Sequence, residues 1–196
     1  MVAGARLRLA GLVLCVGSLV LPAARGQARG VESSPGALSD YQVKAAYLYY
    51  FSTFVDWPPE AFAQTGNEMV IGVLGDDPFG GILDDTLRGK SVNNRRLVVR
   101  RFANIKDARD SHILFISASE RDRIPSILKA LDGTAVLTVG DLESFATRGG
   151  QIAFHTIDKK VRFDINVAAV ERARIKISAQ LMKLGRIVRG SGREGV

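Results

Sequence analysis

A chain of 196 residues with 27 Lys+Arg against 20 Asp+Glu, 46% hydrophobic and 24% charged, has the composition of one ordinary globular domain. That balance disfavours a fully disordered, collagen-like or polytopic membrane protein. A lone cysteine, Cys15, precludes an intrachain disulfide, and with His112 and His155 as the sole imidazoles neither a metal site nor any other cofactor is expected.

Residues 1–28 have the layout of a secretory signal peptide: Arg6 and Arg8, an apolar run from Leu9 to Leu21, then Pro22 and the small residues Ala23, Ala24, Gly26 and Ala28. The run is shorter than the ~20 residues that cross a bilayer, so cleavage after Gly26 or Ala28 is expected rather than anchoring. Cys15 follows Leu14 inside the run and is lost with the leader. Removing Arg6, Arg8 and Arg25 lowers the net charge from +7 to +4. Export and so mild a charge argue against a nucleic-acid partner and leave anionic lipid or an acidic protein surface open.

Gly30, Ser33, Ser34, Pro35 and Gly36 make 29–38 a flexible lead-in to a domain over 39–189, with a Gly-rich tail over 190–196. Ser39 or Asp40 caps a first helix carrying Val43, Tyr47, Tyr50, Phe51 and Phe54, which ends before Pro58 and Pro59. Met69–Leu74 reads as a strand buried on both faces, followed by a short helix over about 78–87. Leu97–Arg101, His112–Ile116 and Ala135–Val139 are further strands, with a helix over Glu120–Leu131 between the last two. Such alternation predicts a parallel sheet, because parallel neighbours need a crossover. Gln151–Ile157 and Lys160–Ile165, separated by Asp158 and Lys159, predict a hairpin. Val170, Ala173, Ile177, Leu181, Leu184 and Val188 then predict one long helix capped by Asn166. The fold class is a single α/β domain: a mixed, mostly parallel sheet covered by helices on both faces, with a C-terminal hairpin and a long final helix.

Three places hold residues of functional type. Gly75-Asp76-Asp77-Pro78-Phe79-Gly80-Gly81 joins a buried strand to a helix, and Ser117, Ser119, Glu120, Gly140 and Asp141 fall on the same carboxyl edge, where α/β proteins hold ligands. Gly75, Asp76, Asp77, Ser117, Ser119 and Asp141 are therefore the candidate ligand-binding set, although helix capping accounts for each alone. Asp110, His112 and Ser117 supply triad residue types without a Gly-x-Ser-x-Gly elbow, which makes an exported hydrolase a weak rival. The stretch 41–57 holds all four tyrosines and half of the chain's aromatics. Its Tyr47, Tyr49, Tyr50 and Trp57, with Arg172, Arg186 and Arg189 on the basic face of the final helix, are the candidate partner-binding residues, a burial role between sheet and final helix or a homodimer contact being the alternatives.

Tyr41-Gln-Val-Lys-Ala-Ala-Tyr-Leu-Tyr-Tyr-Phe51 with Val55-Asp-Trp-Pro58, Ile71-Gly-Val-Leu-Gly-Asp-Asp-Pro-Phe-Gly80, His112-Ile-Leu-Phe-Ile-Ser117, Val136-Leu-Thr-Val139, and Ile152-Ala-Phe154 with Val161-Arg-Phe-Asp-Ile-Asn166 resemble the YfiR family over about 40–188. The resemblance implies a periplasmic, non-enzymatic regulator, without cofactor, that restrains a membrane-bound diguanylate cyclase by binding its periplasmic sensory part, with an outer-membrane lipoprotein able to sequester it. Better-studied relatives carry disulfides, and this chain beyond its leader has no cysteine, so redox control does not carry over. A periplasmic small-ligand-binding protein using the carboxyl edge is the rival reading.

Overall fold

Cap chemistry sets the start of the first helix in the computed structural model, which describes residues 39–190; the expected leader, the lead-in and the tail after Gly190 lie outside them. Ser39 Oγ accepts from Gln42 N–H while Gln42 Oε1 accepts from Ser39 N–H (2.7 Å), a reciprocal capping box opening α1 (Asp40–Phe54). The chain turns extended at Val55, ahead of the two prolines, into β1 (Val55–Asp56).

There follow β2 (Glu68–Leu74), α2 (Gly81–Leu87), β3 (Ser91–Val92), β4 (Arg95–Phe102), β5 (Ile113–Ile116), a 3-10 turn (Ala118–Arg123) running into α3 (Ile124–Ala130), and β6 (Leu137–Gly140). The chain ends in β7 (Ile152–Ile157), β8 (Lys160–Asn166), α4 (Val167–Arg172), β9 (Lys176–Ile177), α5 (Ala179–Leu184) and β10 (Arg186–Val188). The main sheet has the order β10-β8-β7-β6-β5-β2-β4-β3. Its neighbours are parallel except β7/β8 and β3/β4. Both antiparallel pairs are hairpins closed by two residues at positive φ, Asp158-Lys159 (50° and 59°) and Asn93-Asn94 (50° and 61°), the turn whose twist matches paired strands. The domain is the mixed, mostly parallel α/β sheet the periodicity predicts.

One sheet face carries α1, α2 and α5 over Leu48, Phe51, Phe115, Phe154 and Phe163. The other carries α3 and the 142–146 segment over Leu114, Ile116, Ile127 and Phe145. Helices thus seal both faces, which a parallel sheet requires.

The expected long final helix is instead two short ones. Asn166 does cap a helix, its Oδ1 accepting from Ala169 N–H (3.1 Å), but α4 stops at Arg172 and Arg174 turns the chain at φ 56°. Lys176–Ile177 then pair with β1, and Arg186–Val188 add a strand to β8. Two open strand edges compete with the helix for these backbone groups, a demand that side-chain periodicity does not register. Gly185 permits the last step: a Cβ there would sit 2.6 Å from the Phe163 ring and 2.8 Å from Ile165. The helix expected over 120–131 likewise begins as the 3-10 turn, capped by Ser117, and is α-helical only from Ile124.

His112 locks β2 to β5. It is fully buried, its Nδ1 accepts from Val70 N–H (3.0 Å), and its ring stacks on Phe62 at 4.3 Å between centroids. Burial, reinforced by the Arg95 guanidinium and opposed by the backbone at Ala61, pushes its pKa down from 6.5 to about 4. The unfolded chain therefore binds a proton that the folded one refuses between those values, so stability rises with pH through that window. As pH falls from 6.5 to about 4, the unfolding free energy measured in urea drops by an amount on the order of 3 kcal/mol. His112→Asn, which keeps an acceptor for Val70 but cannot titrate, flattens the dependence; an equally steep profile in the variant would assign it elsewhere.

Candidate functional site

Aromatic residues bring α1 onto the sheet, and a buried ion pair fixes where. Lys44 Nζ donates to Asp141 Oδ2 at 3.1 Å, with side-chain exposures of 9% and 8%. Tyr41 donates its hydroxyl to the same oxygen (2.9 Å), and the ammonium lies 4.3 Å from the Tyr41 ring centroid. Burial and the Asp141 carboxylate push the Tyr41 pKa up to about 12, keeping the phenol a donor. The Tyr41 ring meets Phe79 edge-on at 5.3 Å, and Phe79 meets Phe115 at 4.8 Å. Asp141, from the expected ligand set, thus holds α1 to the end of β6.

The rest of that set gathers at one edge but is engaged internally. Gly75 has φ 86°, and a Cβ there would lie 2.5 Å from Ser119 Oγ, so only glycine fits. Asp76 N–H donates to Ser119 Oγ (3.0 Å), while Asp77 accepts from Phe79 N–H (2.8 Å) and from Arg101 Nε (2.8 Å). Arg101 also forks onto Asp84, holding that carboxyl below its ordinary range while its own pKa rises. Ser117 is buried as the cap of the 3-10 turn. An open crevice of about 370 Å³ remains, lined by Gly75 and Asp76 with Arg101, Phe102, Ala103 and Glu120. Asp77, Ser117, Ser119 and Asp141 do not line it.

The triad reading fails on geometry. His112 and Ser117 flank opposite ends of β5, about 16 Å apart at the rise of a strand, and His112 Nδ1 is occupied by Val70.

The candidate partner residues divide three ways. Tyr47 is half-buried against Phe51, Phe154 and Phe163, with centroids 5.2–6.0 Å away, and Trp57 is half-buried with Nε1 donating to the His112 carbonyl (3.1 Å). Tyr49 is half-buried with Lys90 over its ring at 5.2 Å. Tyr50 alone is open, at 50% exposure. Because the final segment is not one helix, its cations share no face. Arg186 forks onto the buried Asp164 carboxylate (2.8 and 2.7 Å), Arg172 borders a cleft beside α3, and Arg189 is exposed just past β10. Periodicity missed two residues: Leu184 at 65% exposure, read as part of a core stripe, and Ile187 at 52%. Gly185, breaking the stripe between them, was the available signal.

Removing Asp141 leaves a buried ammonium without a counter-charge. Asp141→Ala is expected to cost about 3–5 kcal/mol and Tyr41→Phe about 1 kcal/mol in urea unfolding. Asp141→Leu with Lys44→Met recovers most of the loss; a double variant costing the sum of Asp141→Leu and Lys44→Met measured singly would show that the pair is not coupled.

No helix among the described residues is long and apolar enough to cross a membrane, and these residues contain no group of three or more His, Cys, Asp or Glu able to hold a metal. No curated protein matches the chain. A family model described as YfiR/HmsC-like matches residues 41–186, from the tyrosine that anchors α1 to the arginine that seats β10. The chain belongs to the YfiR/HmsC-like family.

Proposed function

We propose that this protein is an exported regulator acting by stoichiometric binding to the periplasmic sensory part of a membrane-bound diguanylate cyclase. Its family is regulatory rather than catalytic. The observation that carries the reading is a set of exposed apolar side chains: Tyr50, Leu184 and Ile187 are each at least half exposed on α1, α5 and β10, and α5 lies against α1 and leads directly into β10. Lys183 and Arg189, next to Leu184 and two residues past Ile187 in the chain, are exposed as well. Aromatic and aliphatic anchors with a charged rim are what a protein interface uses. The carboxyl-edge ligand reading is weaker, because Asp77 and Ser119 are hydrogen-bonded inside the fold and Asp141 gives its Oδ2 to Tyr41 and Lys44.

Restraint by binding is a population shift. The regulator lowers cyclase output only to the extent that it prefers the inactive conformation, each tenfold of preference amounting to about 1.4 kcal/mol.

The test replaces residues that the fold does not need. Arg186 is unsuitable, since a carboxylate there would face buried Asp164. Tyr50→Ala, Leu184→Asp and Arg189→Glu together are expected to weaken capture of the cyclase from solubilised membranes by about a hundredfold, at two to three kcal/mol for the cluster, with an unchanged thermal midpoint. Undiminished capture by this variant would remove the surface from the proposal.

A further inference from the structure

A second concavity lies at the amino ends of β6 and β7, away from the carboxyl edge where α/β sheets usually hold ligands. Its volume, about 540 Å³, is that of a small-molecule site. Leu128 of α3 and Leu131 just after it, Val136 just before β6, and Ala169 of α4 with Ala173 just after it give it apolar walls.

The polar groups in it are nearly all donors. Thr138 is 2% exposed; its hydroxyl accepts from Gln151 N–H (3.2 Å), and among the described residues nothing accepts its own proton. Gln151 has its oxygen occupied by Thr138 N–H (2.8 Å), and its amide nitrogen makes one long bond to the Ala169 carbonyl (3.4 Å), leaving a second N–H uncommitted. Lys129, Arg148 and Arg172 also line the cleft. None of the three forms an ion pair among the described residues; Arg148 reaches only the Arg121 carbonyl, at 3.4 Å. Asp132 is the single carboxylate lining it. Thr138 and Gln151 are buried, and buried donors without acceptors are costly, a cost that a ligand supplying acceptors removes; Lys129, Arg148 and Arg172 are exposed at the rim and favour negative charge.

We infer that this cleft binds a small organic carboxylate: an apolar body against Leu128, Leu131 and Val136, and a carboxylate toward Thr138, Gln151 and the cations Arg148 and Arg172. The apolar walls distinguish such a ligand from a bare inorganic anion, and the excess of cations from an amine of the same shape.

Calorimetric titration with phenylacetate and hexanoate, against phenethylamine and inorganic phosphate, tests this on the chain without its leader. Binding of at least one carboxylate is expected, about tenfold or more tighter than phosphate, with none for the amine. Arg148→Glu with Arg172→Glu is expected to weaken it by a further tenfold or more, the scale of one lost charge-assisted hydrogen bond. Methyl NMR on the unaltered protein gives a readout independent of the variant's folding: shifts at Leu128, Leu131 and Val136 support the site. Failure of both carboxylates to bind, amine binding of equal strength, retained affinity in the folded double variant, or shifts confined to other methyls would each overturn the assignment.

Discussion

One buried ion pair sets the geometry of the side of the sheet that α1 covers. Lys44 and Asp141, joined by the Tyr41 hydroxyl on the same oxygen, pin the start of α1 to the end of β6. Desolvating both charges is expensive, so the pair acts less as a net stabiliser than as a register pin: any rotation of α1 leaves an ammonium unpaired in the interior. With that rotation fixed, Leu48 and Phe51 face the core, Tyr47 closes the Phe154–Phe163 cluster, and Tyr50 points to solvent. The exposed tyrosine is the geometric remainder of a helix whose apolar side chains exceed what one face can bury.

That surface and the opposite cleft are joined by a short run of chain. Arg172 and Ala173 border the cleft, Arg174 turns the backbone and donates to the Gly133 carbonyl, and Lys176–Ile177 pair with β1 at the end of α1. Ser178 N–H then donates to the Phe54 carbonyl (2.9 Å), and its hydroxyl caps α5, which carries Leu184. Segments bordering the two surfaces therefore share backbone hydrogen bonds.

Local chemistry was legible wherever a short stretch decided the outcome. A helix start at Ser39 or Asp40, the strand at Met69–Leu74 and the Asp158-Lys159 hairpin all follow from residues within a few positions of one another, and the structure settles the cap on Ser39. The family blocks fell on those same elements. What sequence could not show was competition between distant partners. Val170 to Val188 has a helical stripe, yet the free edges of β1 and β8 claim Lys176–Ile177 and Arg186–Val188. The candidate sites suffered for the same reason: Asp141 and Asp77 fit a ligand edge until Lys44 and Arg101, 97 and 24 residues away, are seen to hold them. Tyr50 was identifiable because aromatic content exceeded what one face can bury, whereas Leu184 was hidden in an apparent core stripe and Ile187 lay outside it.

The most direct measurement of the central claim is site-specific photocrosslinking in living cells, with a photoreactive residue placed in turn at Tyr50, Leu184 and, on an exposed loop, Arg109. Crosslinks from the first two positions to the periplasmic part of a membrane diguanylate cyclase, and none from Arg109, are the predicted result. Crosslinks that favour Arg109, or no adduct with a cyclase from any position, would contradict it.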